Sequence, residues 1–174
     1  MFKWTVNWRF IGQEIFLSKW FSLTLLIVHT TLLFFFVSKV WLKPTGRNPF
    51  EFLRGIIYGR QRTMQLSNSF ILTTSLTSVV IGMLCARSLH YQFFAYLSWA
   101  TPFLLWRGGF GPFSTYALWA LQEWAWNVYP STNASSVVLV SVLFVQGFGV
   151  LWDGQYAVVS GDGRDNCDVK EHLQ

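Results

Sequence analysis

Charge is scarce in this chain. Lys, Arg, Asp and Glu make up 12% of its 174 residues, against about 25% in soluble globular proteins. The charge is also bunched. None falls between Lys19 and Lys39, Arg62 and Arg87, Arg87 and Arg107, or Glu123 and Asp153, leaving neutral stretches of 19, 24, 19 and 29 residues. A soluble surface cannot be built from that pattern. Cysteine is nearly missing too, with two in all. Cys85 lies in an apolar run and Cys167 in a polar one, which excludes a disulfide framework and a thiolate metal site. The sequence has no phosphate loop, no catalytic-serine pattern and no His/Cys/Asp cluster, so no metal and no cofactor is expected. Lys and Arg are scattered between the apolar runs rather than gathered on one face, so the net charge of +5 does not point to nucleic acid.

What is present is apolar and aromatic: 52% hydrophobic residues, with 17 Phe and 10 Trp. A helix needs about 20 mostly apolar residues to cross the hydrocarbon core of a bilayer. The neutral stretches predict an all-α, polytopic helical membrane protein. Its membrane domain covers residues 1–152, with five spans at about 20–42, 67–86, 91–106, 113–129 and 135–152. Trp20, Trp41, Trp106, Trp126 and Trp152 fall at span ends, where an aromatic belt belongs. Pro102 lies inside the third span and Pro130 stops the fourth. The first apolar run exceeds the roughly 7–15 residues of a signal-peptide core and is read as a span. Residues 1–18 read as an interfacial segment, and 153–174 as a disordered cytosolic tail.

Orientation follows from the basic residues. Nine would lie on one side (Lys39, Lys43, Arg47, Arg54, Arg60, Arg62, Arg107, Arg164, Lys170) and four on the other (Lys3, Arg9, Lys19, Arg87). The side richer in Lys and Arg is cytosolic. The 40–65 connection then reads as a plain basic linker on the cytosolic face. The N-terminal segment, the 87–92 turn and the 127–134 turn share the opposite side.

Those three segments hold the polar chemistry. In Thr5-Val6-Asn7-Trp8-Arg9-Phe10 the alternation of polar and aromatic residues fits an interfacial anchor, rings down and Asn7 and Arg9 up. Arg9 is alternatively placed to face an anionic group, because a guanidinium matches phosphate bidentately. Arg87-Ser88-Leu89-His90-Tyr91-Gln92-Phe93 packs Arg87, His90, Tyr91 and Gln92 into six positions of a short turn. That grouping fits a phosphate or sugar site at the membrane surface, and equally the polar end of any membrane helix. Glu123-Trp124-Ala125-Trp126-Asn127-Val128-Tyr129-Pro130 puts a carboxylate about 9 Å below Tyr129 on helix geometry. Glu123 and Asn127 share a face, as a structural pair or as support for a site. Asn133-Ala134-Ser135 is a glycosylation sequon by pattern, at the mouth of a span. His29 reads as a packing histidine.

In this order, between these spans, the motifs resemble the C-terminal part of the dolichyl-phosphate-mannose-dependent α-1,3-mannosyltransferases of asparagine-linked glycosylation. The resemblance rests on Thr5 to Phe10 with Glu14-Ile15-Phe16-Leu17-Ser18, on Arg87 to Phe93, and on Trp126-Asn127-Val128-Tyr129-Pro130-Ser131-Thr132. It implies the architecture of a type-C glycosyltransferase, multi-pass in the endoplasmic reticulum membrane. The implied partners are dolichyl-phosphate mannose, the dolichol-linked oligosaccharide and the lipid bilayer. The implied reaction transfers mannose to the five-mannose oligosaccharide in the lumen.

On that resemblance Arg9, Asn7, Arg87, His90, Tyr91 and Gln92 bind substrate, and Glu123, Asn127 and Tyr129 orient them from behind. Gln13 stands where family members often carry Glu. The family is about twice this length, so the chain is expected to be a C-terminal piece. Its general base is expected outside these residues, and the piece alone is expected to be inactive. The alternative is a non-catalytic membrane protein, an accessory subunit or half of a transporter.

Overall fold

The computed structural model describes residues 5–43, 46, 48–59 and 66–153. The tail expected over 153–174 lies outside them, except for Asp153, the last residue of a helix. A 3-10 turn, Arg9–Ile11, leads into α1 (Gln13–Leu17) and α2 (Lys19–Phe36), which continues through a π-helical turn, Val37–Trp41. Next come α3 (Pro49–Ile57) and α4 (Asn68–Cys85). A 3-10 turn, Tyr91–Phe93, precedes α5 (Phe94–Arg107), followed by α6 (Pro112–Asn127) and α7 (Asn133–Asp153). No strand occurs among the described residues.

Each apolar run forms a helix because little in it offers the backbone a competing partner. The hydroxyl residues it does contain bond back along their own helix: Thr73 to the Ser69 carbonyl and Thr77 to that of Thr73, both at 2.7 Å. Side chains set the starts. The Ser18 Oγ accepts from the Phe21 N–H at 3.1 Å and the Ser67 Oγ from the Phe70 N–H at 3.1 Å, satisfying amides that a helix start leaves open. At α7 the capping is reciprocal. The Thr132 N–H donates to the Ser135 Oγ at 2.9 Å, and the Ser135 N–H to the Thr132 Oγ1 at 3.2 Å.

Among the described residues three helices are long and apolar enough to cross a membrane: Lys19–Trp41, Asn68–Cys85 and Asn133–Trp152. α5 and α6 are shorter, with 14 and 16 residues. Even so, α5 runs the height of the bundle. Its approach holds Tyr91, which bonds the Val128 carbonyl beyond the end of α6, and at its other end Gly108 touches Gly149 near the end of α7.

The central helix is α7, packed on α4, α5 and α6, while α2 packs on α4 at the edge. Leu97, Ala100, Leu104, Ala125, Leu139 and Leu143 are fully buried between them. A polar knot crosses this apolar core. The Thr101 Oγ1 donates to the Gln122 Oε1 at 2.9 Å, and the Gln146 Nε2 donates to both, at 3.1 and 2.9 Å. One residue each from α5, α6 and α7 is thereby joined in full burial.

The Gly108–Gly149 contact brings two helix backbones together without side chains between them. A Cβ on Gly149 would meet the Phe110 ring at 2.6 Å, whereas one on Gly147 meets nothing within 4 Å. Gly149→Val should therefore cost about 1–3 kcal/mol by overpacking, and Gly147→Val much less. Thermal unfolding of the two variants in one detergent is the check. Equal melting temperatures would show that the contact is loose.

Two readings of the sequence change here. The 40–65 connection is more than a linker, since α3 forms within it. The N-terminal segment does not lie with Asn7 turned up to the water: Thr5, Val6 and Asn7 are fully buried. The alternation that resembles an interfacial anchor arises because these residues are wedged between two turns of the bundle.

Candidate functional site

The three polar segments meet at one end of the bundle. The Val6 N–H donates to the Leu89 carbonyl at 3.0 Å. The Asn7 Nδ2 donates to the Ala86 carbonyl at 2.7 Å, and its Oδ1 accepts from the Leu89 N–H at 3.0 Å and from the Thr5 hydroxyl at 2.8 Å. One side-chain amide thus fastens the N-terminal segment to the turn between α4 and α5. Trp8 takes a left-handed backbone, φ 52°, which costs about 1–2 kcal/mol for a residue with a Cβ. That bend brings the Trp8 Nε1 to the same Ala86 carbonyl, at 3.0 Å.

The other side of the segment holds the α6–α7 turn. The Ser131 hydroxyl donates to the Thr5 carbonyl at 2.7 Å, and the Arg9 N–H donates to the Ser136 Oγ at 2.9 Å. The Arg9 guanidinium reaches the Ser131 Oγ at 3.4 Å. This turn contains the cis Tyr129–Pro130 peptide. It is joined directly to the α4–α5 turn by Tyr91, whose hydroxyl donates to the Val128 carbonyl at 3.2 Å. The Tyr91 ring meets Tyr129 and Trp126 edge-on, with centroids 5.7 and 6.3 Å away.

Arg87 stands at the end of α4. It donates to the Ser22 Oγ on α2 at 3.1 Å, and its guanidinium carbon lies 5.7 Å from the centre of the buried Phe16 ring. A guanidinium held by a hydroxyl and an aromatic ring has a fixed direction, and its planar fork suits an oxyanion. Arg9 and Arg87 are both half-buried on this end, where His90, Gln92, Asn127 and Tyr129 are exposed.

An apolar groove of about 740 Å³ opens beneath, between α2, α4 and α7. Trp8, Phe21 and Cys85 line its end nearest the polar turns, and Val28, Phe144 and Phe148 continue it along the bundle.

The residues singled out from sequence divide into three groups. Asn7 and Tyr91 bond to protein partners and tie the segments together. Arg9, Arg87, His90 and Gln92 sit at the polar end, the first two anchored by serines. Glu123 and Asn127 form a separate pair further along α6. The Asn127 amide bonds the Glu123 backbone carbonyl at 2.7 Å. Sequence reading missed the serines Ser22 and Ser136, which hold the two arginines. Single hydroxyls near span ends carry no pattern that marks them. Among the described residues no group of three or more His, Cys, Asp or Glu could hold a metal ion.

A bundle with membrane-length helices, two arginines anchored at one end and an apolar groove beneath has the architecture of a helical membrane protein. Its sequence relatives give the family. The signature of the ALG3 protein matches residues 1–136, and the chain belongs to that family. It is 48% identical over 163 residues to the Dol-P-Man:Man(5)GlcNAc(2)-PP-Dol alpha-1,3-mannosyltransferase of Neurospora crassa, covering 88% of this chain and 37% of the relative. The enzyme of the same name from Homo sapiens is 38% identical over 149 residues, covering 80% of this chain and 32% of the relative. The one from Debaryomyces hansenii is 36% identical over 190 residues, covering 97% and 40%. The chain spans about a third of the length of these relatives, less than the half that the resemblance implied. No solved structure matches it.

Proposed function

We propose that this chain forms the leaving-group side of a mannosyltransferase. The enzyme takes mannose from dolichyl-phosphate mannose and adds it, in α-1,3 linkage, to the five-mannose dolichol-linked oligosaccharide. The observation that carries this reading is the convergence of Arg9 and Arg87, each held by a serine, at one end of a membrane bundle in a chain of the ALG3 family.

In such a reaction the acceptor oxygen bonds to the anomeric carbon as the bond to dolichyl phosphate breaks. The bonding pair stays on the phosphate, and the acceptor proton passes to a carboxylate base. Charge therefore grows on the phosphate, and donors already aimed there lower the barrier. Arg87 is assigned that contact, with Arg9, His90 and Gln92 beside it. Asn7 and Tyr91 position the turns that carry them, and Tyr129 packs behind Tyr91. The groove gives the isoprenoid chain of the substrate an apolar path. The relatives are about three times as long as the stretch they share with this chain, and the base is assigned to another part of the enzyme, with Glu123 and Asn127 given a supporting role in α6.

All five long helices are taken as crossings, α5 and α6 included, with the polar end in the lumen of the endoplasmic reticulum and the basic connections in the cytosol. The basic-residue count supports that orientation.

A chimera tests the reading. The chain replaces the matching stretch of the Neurospora crassa relative and is expressed in a strain lacking that enzyme. Microsomes are then assayed for mannose transfer from dolichyl-phosphate mannose. Restored transfer is expected. A chimera that accumulates to normal levels yet leaves the five-mannose intermediate unextended would return the chain to the class of non-catalytic membrane subunits.

A further inference from the structure

Among the described residues, one helix stands apart from the bundle's main contacts. α3 has no extended contact with any other element, yet it is strongly two-faced. At 100° per residue, Pro49, Phe50, Phe52, Leu53, Ile56 and Ile57 fall on one arc, and Glu51, Arg54 and Tyr58 on the other. The apolar arc is left uncovered: Phe50 is 85% exposed, Ile57 69%, Leu53 53% and Ile56 50%. The helix is defined by its own signals. Pro49 opens it after Asn48, whose backbone N–H donates to the Glu51 Oε2 at 3.4 Å.

Its position limits what can cover that arc. α3 joins the ends of α2 and α4, two helices long and apolar enough to span a bilayer, so it lies where the chain leaves the hydrocarbon. The surrounding sequence is basic: Lys39, Lys43, Arg47, Arg54, Arg60 and Arg62, against the single acid Glu51. Of these, Lys39, Lys43 and Arg54 are exposed. A short helix with an apolar arc, flanked by cations at a membrane surface, matches the physics of an interfacial helix. Positive charge next to the bilayer is attracted to anionic headgroups.

We infer that α3 is a lipid-binding element, lying in the headgroup boundary of an anionic leaflet with Phe50, Leu53 and Ile57 in the acyl region and Arg54 among the phosphates. The inference does not depend on the transfer reaction. It holds or fails whatever sugar the protein handles.

The test places nitroxide labels on the full chain, with Cys85 and Cys167 replaced by serine, in vesicles of phosphatidylcholine with or without phosphatidylinositol. Labels at positions 53 and 57 should be reached by dissolved oxygen but shielded from a water-soluble nickel chelate, at a depth of about 5–10 Å. Labels at 51 and 58 should show the reverse. Phosphatidylinositol should drive positions 53 and 57 deeper, and Arg54→Glu should cancel that gain while leaving the accessibility of a label at 140 unchanged. Two results would overturn the inference: nickel access at all four positions, which places α3 in water, or exclusion of both reagents from 53 and 57, which places protein over the arc. A depth indifferent to phosphatidylinositol would remove the anionic recognition.

Discussion

Replacing Arg87 by lysine is expected to lower mannose transfer by about 100- to 1000-fold, the usual loss when one preorganised donor is taken from a developing anion. The substitution keeps the charge. It removes the fork, which can hold two phosphate oxygens where an ammonium is a single mobile point. It also removes the bond to the Ser22 Oγ and the stacking near Phe16 that fix the direction of that fork. The measurement is transfer from dolichyl-phosphate mannose at matched protein level, in the complete enzyme. Arg54→Lys, on α3, is the control and should be silent. If Arg87→Lys transfers like the unmodified protein, Arg87 only anchors the end of α4 and the phosphate contact lies elsewhere.

Asn7→Ala should weaken both fold and activity. The substitution leaves the Leu89 N–H without its acceptor and takes away bonds to the Ala86 carbonyl and the Thr5 hydroxyl, all in a buried position. Stranding one buried donor costs about 1–3 kcal/mol, and with the lost bonds the total is about 2–4 kcal/mol. The expected result is a lower melting temperature in detergent together with a fall in turnover, because the turn that carries Arg87 loses its tether. Asn7→Asp keeps the acceptor but places a second carboxylate oxygen where the amide faced the Ala86 carbonyl, so it should not rescue stability. Reduced transfer with an unchanged melting temperature would contradict this account. It would mean that Asn7 touches the substrate itself.

The helices were legible because charge and hydrocarbon exclude one another. The neutral runs predicted an all-α membrane protein, the class the structure shows, and Ser18 and Ser67 cap the starts of α2 and α4. The polar end was legible as three motifs on one side, but not as one connected structure. The partners of Asn7 and Arg9 lie 79 and 127 residues away, and no local pattern announces them. The knot of Thr101, Gln122 and Gln146 escaped for the same reason. Each is a lone polar residue in an apolar run, and only packing shows that they share one point. α3 was missed because nine residues are too few to cross a bilayer and their arc is visible only once a helix is assumed.

The strap formed by residues 5–9 also sets the order of assembly. Its bonds to Ser131 and Ser136 close loops of 126 and 127 residues, so the polar end cannot be completed when residues 5–9 emerge. At about 5–20 residues per second, the ribosome needs roughly 6 to 25 seconds to reach the far partners. During that time Asn7 can engage the Ala86 turn, but Thr5 and Arg9 must wait until α6, its turn and the start of α7 have been made. Closure of the strap is therefore a late event in biogenesis. A chain in which α7 fails to insert would leave residues 5 and 9 without these partners, which makes the strap a natural reporter of whether α7 has arrived.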